Sequence, residues 1–272
     1  MPNTTANPAD VPVFVLCGGL GTRFREQTEF RPKPMIQIGR YPIVWHIMQT
    51  YARHGFKRFV LCTGYKSESV KDYFLNYSAM NSDFTVELAG HREAKVHSVD
   101  HDQDWTVTVA YTGELTMTGG RVALATGKYL GDAEHFAVTY GDGVTDANFT
   151  DEFAFHCGHD KLGTVLGVNP PSRFGELKLD GDTVTEFAEK PDLANNWING
   201  GYFFFRRGFT DYLTAGDESL VLEKTPLIRL AQDGQLSMFK HRGFWQCMDT
   251  QRDWDGLNKL WNSGNPPWLP CE

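Results

Sequence analysis

"VPVFVLCGGLGTRFREQTEFRPKPM", residues 11–35, is the stretch on which the reading of this chain turns. Val11 to Leu16 is a β-branched and aromatic run of the kind that forms a buried strand. It drops into Gly18, Gly19 and Gly21, a turn in which backbone N–H groups can approach an anion with no Cβ in the way. Arg23 lies in the same loop, and Arg31-Pro32-Lys33-Pro34 holds a lysine between two prolines that stiffen it in an extended conformation. The spacing matches neither G-x-x-x-x-G-K-[ST] nor G-x-G-x-x-G. A glycine turn followed by stiffly mounted cations predicts a polyphosphate site; the alternative is a tight connection with a surface lysine.

Working outward, residues 42 to 54 read as a helix, with Ile43, Val44, Ile47, Met48 and Tyr51 on one face and Gly55 as its stop. "RFVLC" (58–62) reads as a strand and "SESVKDYFLNY" (67–77) as an amphipathic helix. "HFAVTY" (135–140), a helix near 150–158 and "GTVLGV" (163–168) repeat the alternation. This β-α-β-α order predicts an α/β fold, Rossmann-like, with a mostly parallel sheet flanked by helices. Strands in 83–113 and a hairpin at Asp180-Gly181 read as insertions. Thr250 with Asp253 three residues on predicts a capped helix bearing Trp254, Leu257 and Trp261. The expected organisation is a loose tail over 1–10 and one domain over 11–272, with a small C-terminal subdomain from about 205.

The 272 residues are 41% hydrophobic with a net charge of −8, which excludes a disordered chain and a general nucleic-acid binder. Five scattered cysteines without a C-x-x-C pair fit a reducing compartment. No apolar run reaches the ~18 residues that would span a bilayer. With a polar N-terminus, the expectation is a cytoplasmic protein without membrane association.

Asp142 stands between Gly141 and Gly143 at the end of a strand, and Asp249 directly precedes the Thr250 cap. Each has an ordinary reading, as a turn aspartate and as a carboxylate at a helix N-terminus. Together they would also suit a hard cation such as Mg²⁺, which takes few carboxylates beside water and phosphate oxygens. His91, His97 and His101 crowd one segment but fit no zinc spacing, so a polar hairpin or subunit contact is expected there. Trp197, Trp245, Trp254 and Trp261 read as core or interface.

The blocks "GGLGTRF", "RPKPM", "MTGGR" (117–121), "YGDGV" (140–144), "FAEKP" (187–191), "WINGG" (197–201) and "GFWQCMDT" (243–250) resemble the sugar-1-phosphate nucleotidylyltransferases, most of all their cytidylyl branch acting on glucose 1-phosphate. The resemblance spans nearly the whole chain beyond residue 11. It implies that CTP and α-D-glucose 1-phosphate give CDP-glucose and pyrophosphate by in-line attack on the α-phosphorus, with Mg²⁺ held by Asp142 and Asp249. Arg23, Lys33 and Asp142 would be catalytic. Leu16, Gly18, Gly19, Leu20, Gly21, Thr22, Arg23, Lys33, Thr118, Arg121 and Gly141 would bind the nucleotide, and Glu189, Lys190 and Asn199 the sugar phosphate. A homo-oligomer supplying surface-polysaccharide (O-antigen) synthesis is also implied. Cys17, Leu115 and Glu176 depart from the family pattern, which keeps other readings open: another phosphorylated acceptor, a UTP- or dTTP-using relative, or a non-catalytic nucleotide-binding regulatory subunit.

Overall fold

A computed structural model describes residues 6–89, 94–97, 103–170, 176–188 and 197–269. Seven strands form the central sheet: β1 (Pro12–Cys17), β2 (Arg58–Thr63), β3 (Thr106–Tyr111), β4 (His135–Tyr140), β5 (Gly163–Val168), β6 (Ile198–Arg206) and β7 (Leu236–His241), in the order β7-β5-β6-β4-β1-β2-β3. β6 runs antiparallel to both neighbours, and the other pairings are parallel. The longer helices are α1 (Ile43–Arg53), α2 (Ser67–Leu75), α3 (Thr118–Tyr129), α4 (Phe149–Cys157), α5 (Thr225–Gln232) and α6 (Gln251–Asn262).

Every residue of β1 is buried, and its alternate side chains serve opposite faces of the sheet. Val13, Val15 and Cys17 join one core with Ile47 and Met48 of α1, Phe153 of α4 and Leu257 of α6. Phe14 and Leu16 join the other, with Val122 and Ala125 of α3 and Leu230 of α5. Burial on both faces explains why the strand reads as an unbroken apolar run. It also fixes the register, since a one-residue slip would exchange the two sets.

Several expectations are revised. Residues 6–10 are not loose: Pro8–Asp10 is a 3-10 turn capped by Asn7, and Arg58 Nη1 donates to the Asp10 carbonyl at 3.0 Å. No separate core sets off a C-terminal subdomain among the described residues. β7 belongs to the central sheet, and Met248, Leu257 and Trp268 share the buried cluster of β1. Trp268 Nε1 donates to His46 Nδ1 at 3.3 Å, so the His46 proton sits on Nε2, 3.0 Å from the Ile38 carbonyl. Burial lowers the His46 pKa to about 4 and keeps the ring neutral.

"WTVTVAY" is not an insertion but supplies the sheet edge β3; the inserted hairpin is Phe84–Val86 with Ala94–Val96. His97 beside it hydrogen-bonds Thr85 at 2.7 Å, whereas His91 and His101 lie outside the described residues. The later hairpin turns one residue beyond its expected place: Asp180 pairs with Thr183, and Gly181 takes the first loop position at φ +57°.

Candidate active site

The carboxyl ends of β1 and β4 and the segment after β3 open onto a cavity of about 630 Å³, the place where open α/β sheets bind ligands. Its lining includes Leu16, Gly18, Gly19, Leu20, Gly21, Thr22, Lys33, Thr118, Arg121, Gly141, Asp142 and Asp249. A smaller cavity of about 250 Å³ adjoins it, lined by Asn199, Tyr202, Trp245 and Cys247, with Tyr140, Asp142 and Asp249 common to both. The Arg23 side chain, Glu189 and Lys190 lie outside the described residues, as does the Glu176 side chain. The Arg23 backbone belongs to the 3-10 turn Thr22–Phe24 that ends the glycine loop.

Lys33 is the centre of the polar cluster. Its Nζ lies 2.7 Å from Asp142 Oδ2 and 2.5 Å from Asp249 Oδ1, with the lysine side chain 12% exposed. The segment holding it is stiff but not extended. Lys33–Met35 forms a 3-10 turn, closed by Met35 N–H to the Pro32 carbonyl at 2.8 Å. Pro34 sits inside this turn at a first-turn position, where its missing N–H is not needed. Burial works to lower the Lys33 pKa, but the Asp142 and Asp249 carboxylates outweigh it and raise it, so the ammonium persists across neutral pH.

The two aspartates meet although they lie far apart in the chain. A short antiparallel pair, Gly143–Thr145 with Trp245–Cys247, places Cys247 opposite Gly143. Asp142 comes just before the first of these strands and Asp249 just after the second. Met248 N–H donates to the Asp142 carbonyl at 2.8 Å. Tyr202 Oη donates to the Gly143 carbonyl at 2.6 Å. Asp253 then accepts from the Asp249 and Thr250 N–H groups, so the expected capping box on α6 also fixes the Asp249 backbone. Two hard oxygen donors converging on one positive charge suit a divalent cation completed by water and phosphate oxygens.

Arg121, which lines the larger cavity, is also a structural tie. It is 4% exposed. Its Nη1 donates to the Thr63 and Gly113 carbonyls and to Thr112 Oγ1; its Nη2 donates to the Gly18 and Glu114 carbonyls. One guanidinium therefore ties the loops after β1, β2 and β3 together beneath the cavity. A Cβ on Gly18 or on Gly64 would collide with it. The first glycine of the opening turn thus makes room for Arg121, while a Cβ on Gly19 would meet nothing. Gly19 leaves backbone open on the cavity side, as a phosphate would require.

In "MTGGR", Gly119 and Gly120 let the 217–222 loop lie against the start of α3, since Cβ atoms there would meet Leu220 and the Asp217 carbonyl. Thr118 Oγ1 donates to Glu223 Oε2 at 2.7 Å and accepts from Leu222 N–H at 2.9 Å. Leu20, Leu115 and Met117 form an exposed apolar lip on the larger cavity. Trp245 packs against the core as expected and also walls the smaller cavity, its Nε1 donating to the Gly200 carbonyl at 2.8 Å. Trp254 and Trp261 likewise pack against the core, and the Trp197 ring carries the cationic ends of Lys240 and Arg242 over it. Tyr140 and Glu223 were not foreseen. Tyr140 precedes the Gly-Asp-Gly turn and could have been found from it, but Glu223 comes from a distant connection with no local signal.

A mostly parallel sheet with a glycine turn, a mounted lysine and paired aspartates at its carboxyl edge is the arrangement of a nucleotidyl-transfer site. The family model for nucleotidyl transferases matches residues 13–250, and the chain belongs to that family. It is 43% identical over 258 residues to the glucose-1-phosphate cytidylyltransferase of Salmonella typhi, covering 95% of this chain and 98% of that one. A Drosophila melanogaster mannose-1-phosphate guanylyltransferase catalytic subunit beta is 28% identical, over 88% of this chain and 60% of that protein. Among solved structures, HddC from Yersinia pseudotuberculosis superposes with a TM-score of 0.66 at 22% identity, covering 92% of this chain and 99% of that one.

Proposed function

We propose that this chain joins CTP and α-D-glucose 1-phosphate to give CDP-glucose and pyrophosphate. The observation that carries the reading is Lys33, clasped by Asp142 and Asp249 where the two cavities meet. The larger cavity, beside the glycine turn, suits the nucleotide, and the smaller, beside Asn199, the sugar phosphate. The choice of CTP and glucose 1-phosphate follows the Salmonella relative, whose 43% identity extends over nearly all of both chains.

A phosphate oxygen of the acceptor attacks the α-phosphorus and forms a new P–O bond. The bond from that phosphorus to the oxygen bridging to the β-phosphate breaks, and its electron pair leaves with pyrophosphate. The attacking oxygen is already anionic near neutral pH, so neither a general base nor a covalent intermediate is needed. Catalysis reduces to holding two polyanions in line and stabilising the charge that moves to the leaving group. Lys33 supplies a fixed ammonium, and the backbone of Gly18 to Thr22 supplies donors. Asp142 and Asp249 would hold Mg²⁺, which when bound neutralises charge on the phosphate oxygens. Arg23 and Lys190 complete the set of cations in this reading, with Glu189 and Asn199 toward the sugar.

The same reading makes the protein a cytoplasmic homo-oligomer. Among the described residues no helix is long and apolar enough to cross a membrane. Leu75, Met80, Phe84 and Leu88 are exposed and supply an apolar surface for self-association. The test is pyrophosphate release with CTP, UTP and dTTP in parallel, each against glucose 1-phosphate and a panel of other phosphorylated acceptors. CTP with glucose 1-phosphate is expected to exceed every other pair; a better pair, or binding without release, would overturn the assignment.

A further inference from the structure

Four side chains form one hydrogen-bonded line across the wall between the cavities. Thr118 Oγ1 donates to Glu223 Oε2 at 2.7 Å, and Tyr140 Oη donates to Glu223 Oε1 at 2.6 Å. Asn199 Nδ2 donates to Tyr140 Oη at 3.2 Å, and Asn199 Oδ1 accepts from Gly201 N–H at 2.8 Å. Glu223 and Thr118 line the larger cavity, Asn199 the smaller, and Tyr140 both.

The direction of each bond is set by its neighbours. Tyr140 has one hydroxyl proton, and it goes to Glu223, so toward Asn199 the phenol oxygen can only accept. Burial and the adjacent Glu223 push the Tyr140 pKa up, which keeps that proton in place. On its other side Asn199 meets an N–H donor, so its oxygen must face Gly201 and its nitrogen Tyr140. Two independent neighbours therefore impose the same amide orientation, and the second Nδ2 hydrogen is the group left to offer to a ligand. Gly201 permits this arrangement: it has φ +80°, and a Cβ there would strike the Tyr140 ring.

We propose that Glu223 is a positioning residue for the phosphorylated acceptor. Acting through Tyr140, it locks Asn199 as a hydrogen-bond donor toward an acceptor oxygen, and by also anchoring Thr118 it refers the acceptor subsite to the nucleotide side. This inference deepens the proposed function and rests on its assignment of the smaller cavity to the acceptor.

The test is a double-mutant cycle on Tyr140→Phe and Glu223→Ala, read by pyrophosphate release, with thermal unfolding as the check on folding. Losing a bond that orients a substrate donor should raise the acceptor KM about tenfold in either variant, while the CTP KM of Tyr140→Phe moves by less than about twofold. The double variant should be no worse for the acceptor than the more affected single one, because both changes cut the same line. Additive losses, or equal rises in both KM values for Tyr140→Phe, would overturn the proposal, because a merely structural role gives those results. The cycle is run with whichever phosphorylated acceptor the unsubstituted protein turns over fastest. Failure of glucose 1-phosphate itself counts against the proposed substrate, whereas the pattern among the variants counts only for or against the role of Glu223.

Discussion

Replacing Arg121 with methionine removes the guanidinium while keeping most of the aliphatic stem. The carbonyls of Gly113, Gly18 and Glu114 lose their donor at one stroke, while that of Thr63 keeps the Thr112 N–H and hydroxyl. A buried acceptor left unpaired costs about 1–3 kcal/mol. The unpaired carbonyls lie beside a cavity that admits water, so the low end applies, and three at about 1 kcal/mol each sum to about 3 kcal/mol. For a chain of this size each kcal/mol lowers Tm by about 2–4 °C, so a fall of roughly 10 °C is expected. Thermal unfolding followed by circular dichroism, with and without CTP, measures it. The KM for CTP should rise as well, because the Gly18 carbonyl is no longer held. Arg121→Lys should recover little, since one ammonium cannot reproduce a fork that serves three loops. A Tm within about 3 °C of the unsubstituted protein, with an unchanged CTP KM, would refute the view of Arg121 as the tie beneath the cavity.

Lys33→Ala should lower kcat by about 10²-fold or more while the protein stays folded, and near-full activity would remove Lys33 from the chemistry. The Lys33 pKa is raised, so its ion pairs contribute fully below the ordinary lysine value of about 10.4 and fade only as pH passes the folded value; no loss attributable to Lys33 should appear between pH 6 and 9. Asp142→Asn should abolish turnover at every Mg²⁺ concentration, and an unchanged Mg²⁺ titration of the rate would exclude it as a ligand. Glu152 is fully buried, neither carboxyl oxygen has a hydrogen-bond partner, and burial raises its pKa. The folded state therefore keeps a proton that the unfolded chain releases above about pH 4.3, and stability drains away as pH climbs from there. Glu152→Gln should accordingly raise Tm more at pH 8 than at pH 4.5, and equal shifts at the two pH values would contradict the neutral carboxyl.

What could be read from the sequence was local. The β1 run, the helix after Pro42 and the Thr250–Asp253 box depend on residues within a few positions of one another, so periodicity and capping chemistry sufficed. Lys33, Asp142 and Asp249 could be picked out one by one, but their meeting depends on a strand pair between residues 143 and 247 that no local pattern announces. The tie made by Arg121 was illegible for the same reason: its acceptors come from three loops, and an arginine beside two glycines carries no mark of burial. Glu223 was invisible because its partners, Thr118 and Tyr140, precede it by a long stretch of chain.

The pairing of Gly143–Thr145 with Trp245–Cys247 has a consequence for biosynthesis. Translation proceeds from the N-terminus, and the glycine turn, Lys33 and Asp142 all emerge early. Their carboxylate partner and the strand that delivers it come only after all seven strands of the central sheet have been made. A nascent polypeptide can therefore assemble most of its sheet while still on the ribosome and yet lack a finished reaction centre. Products terminated before Asp249 would thus be inert without any dedicated safeguard.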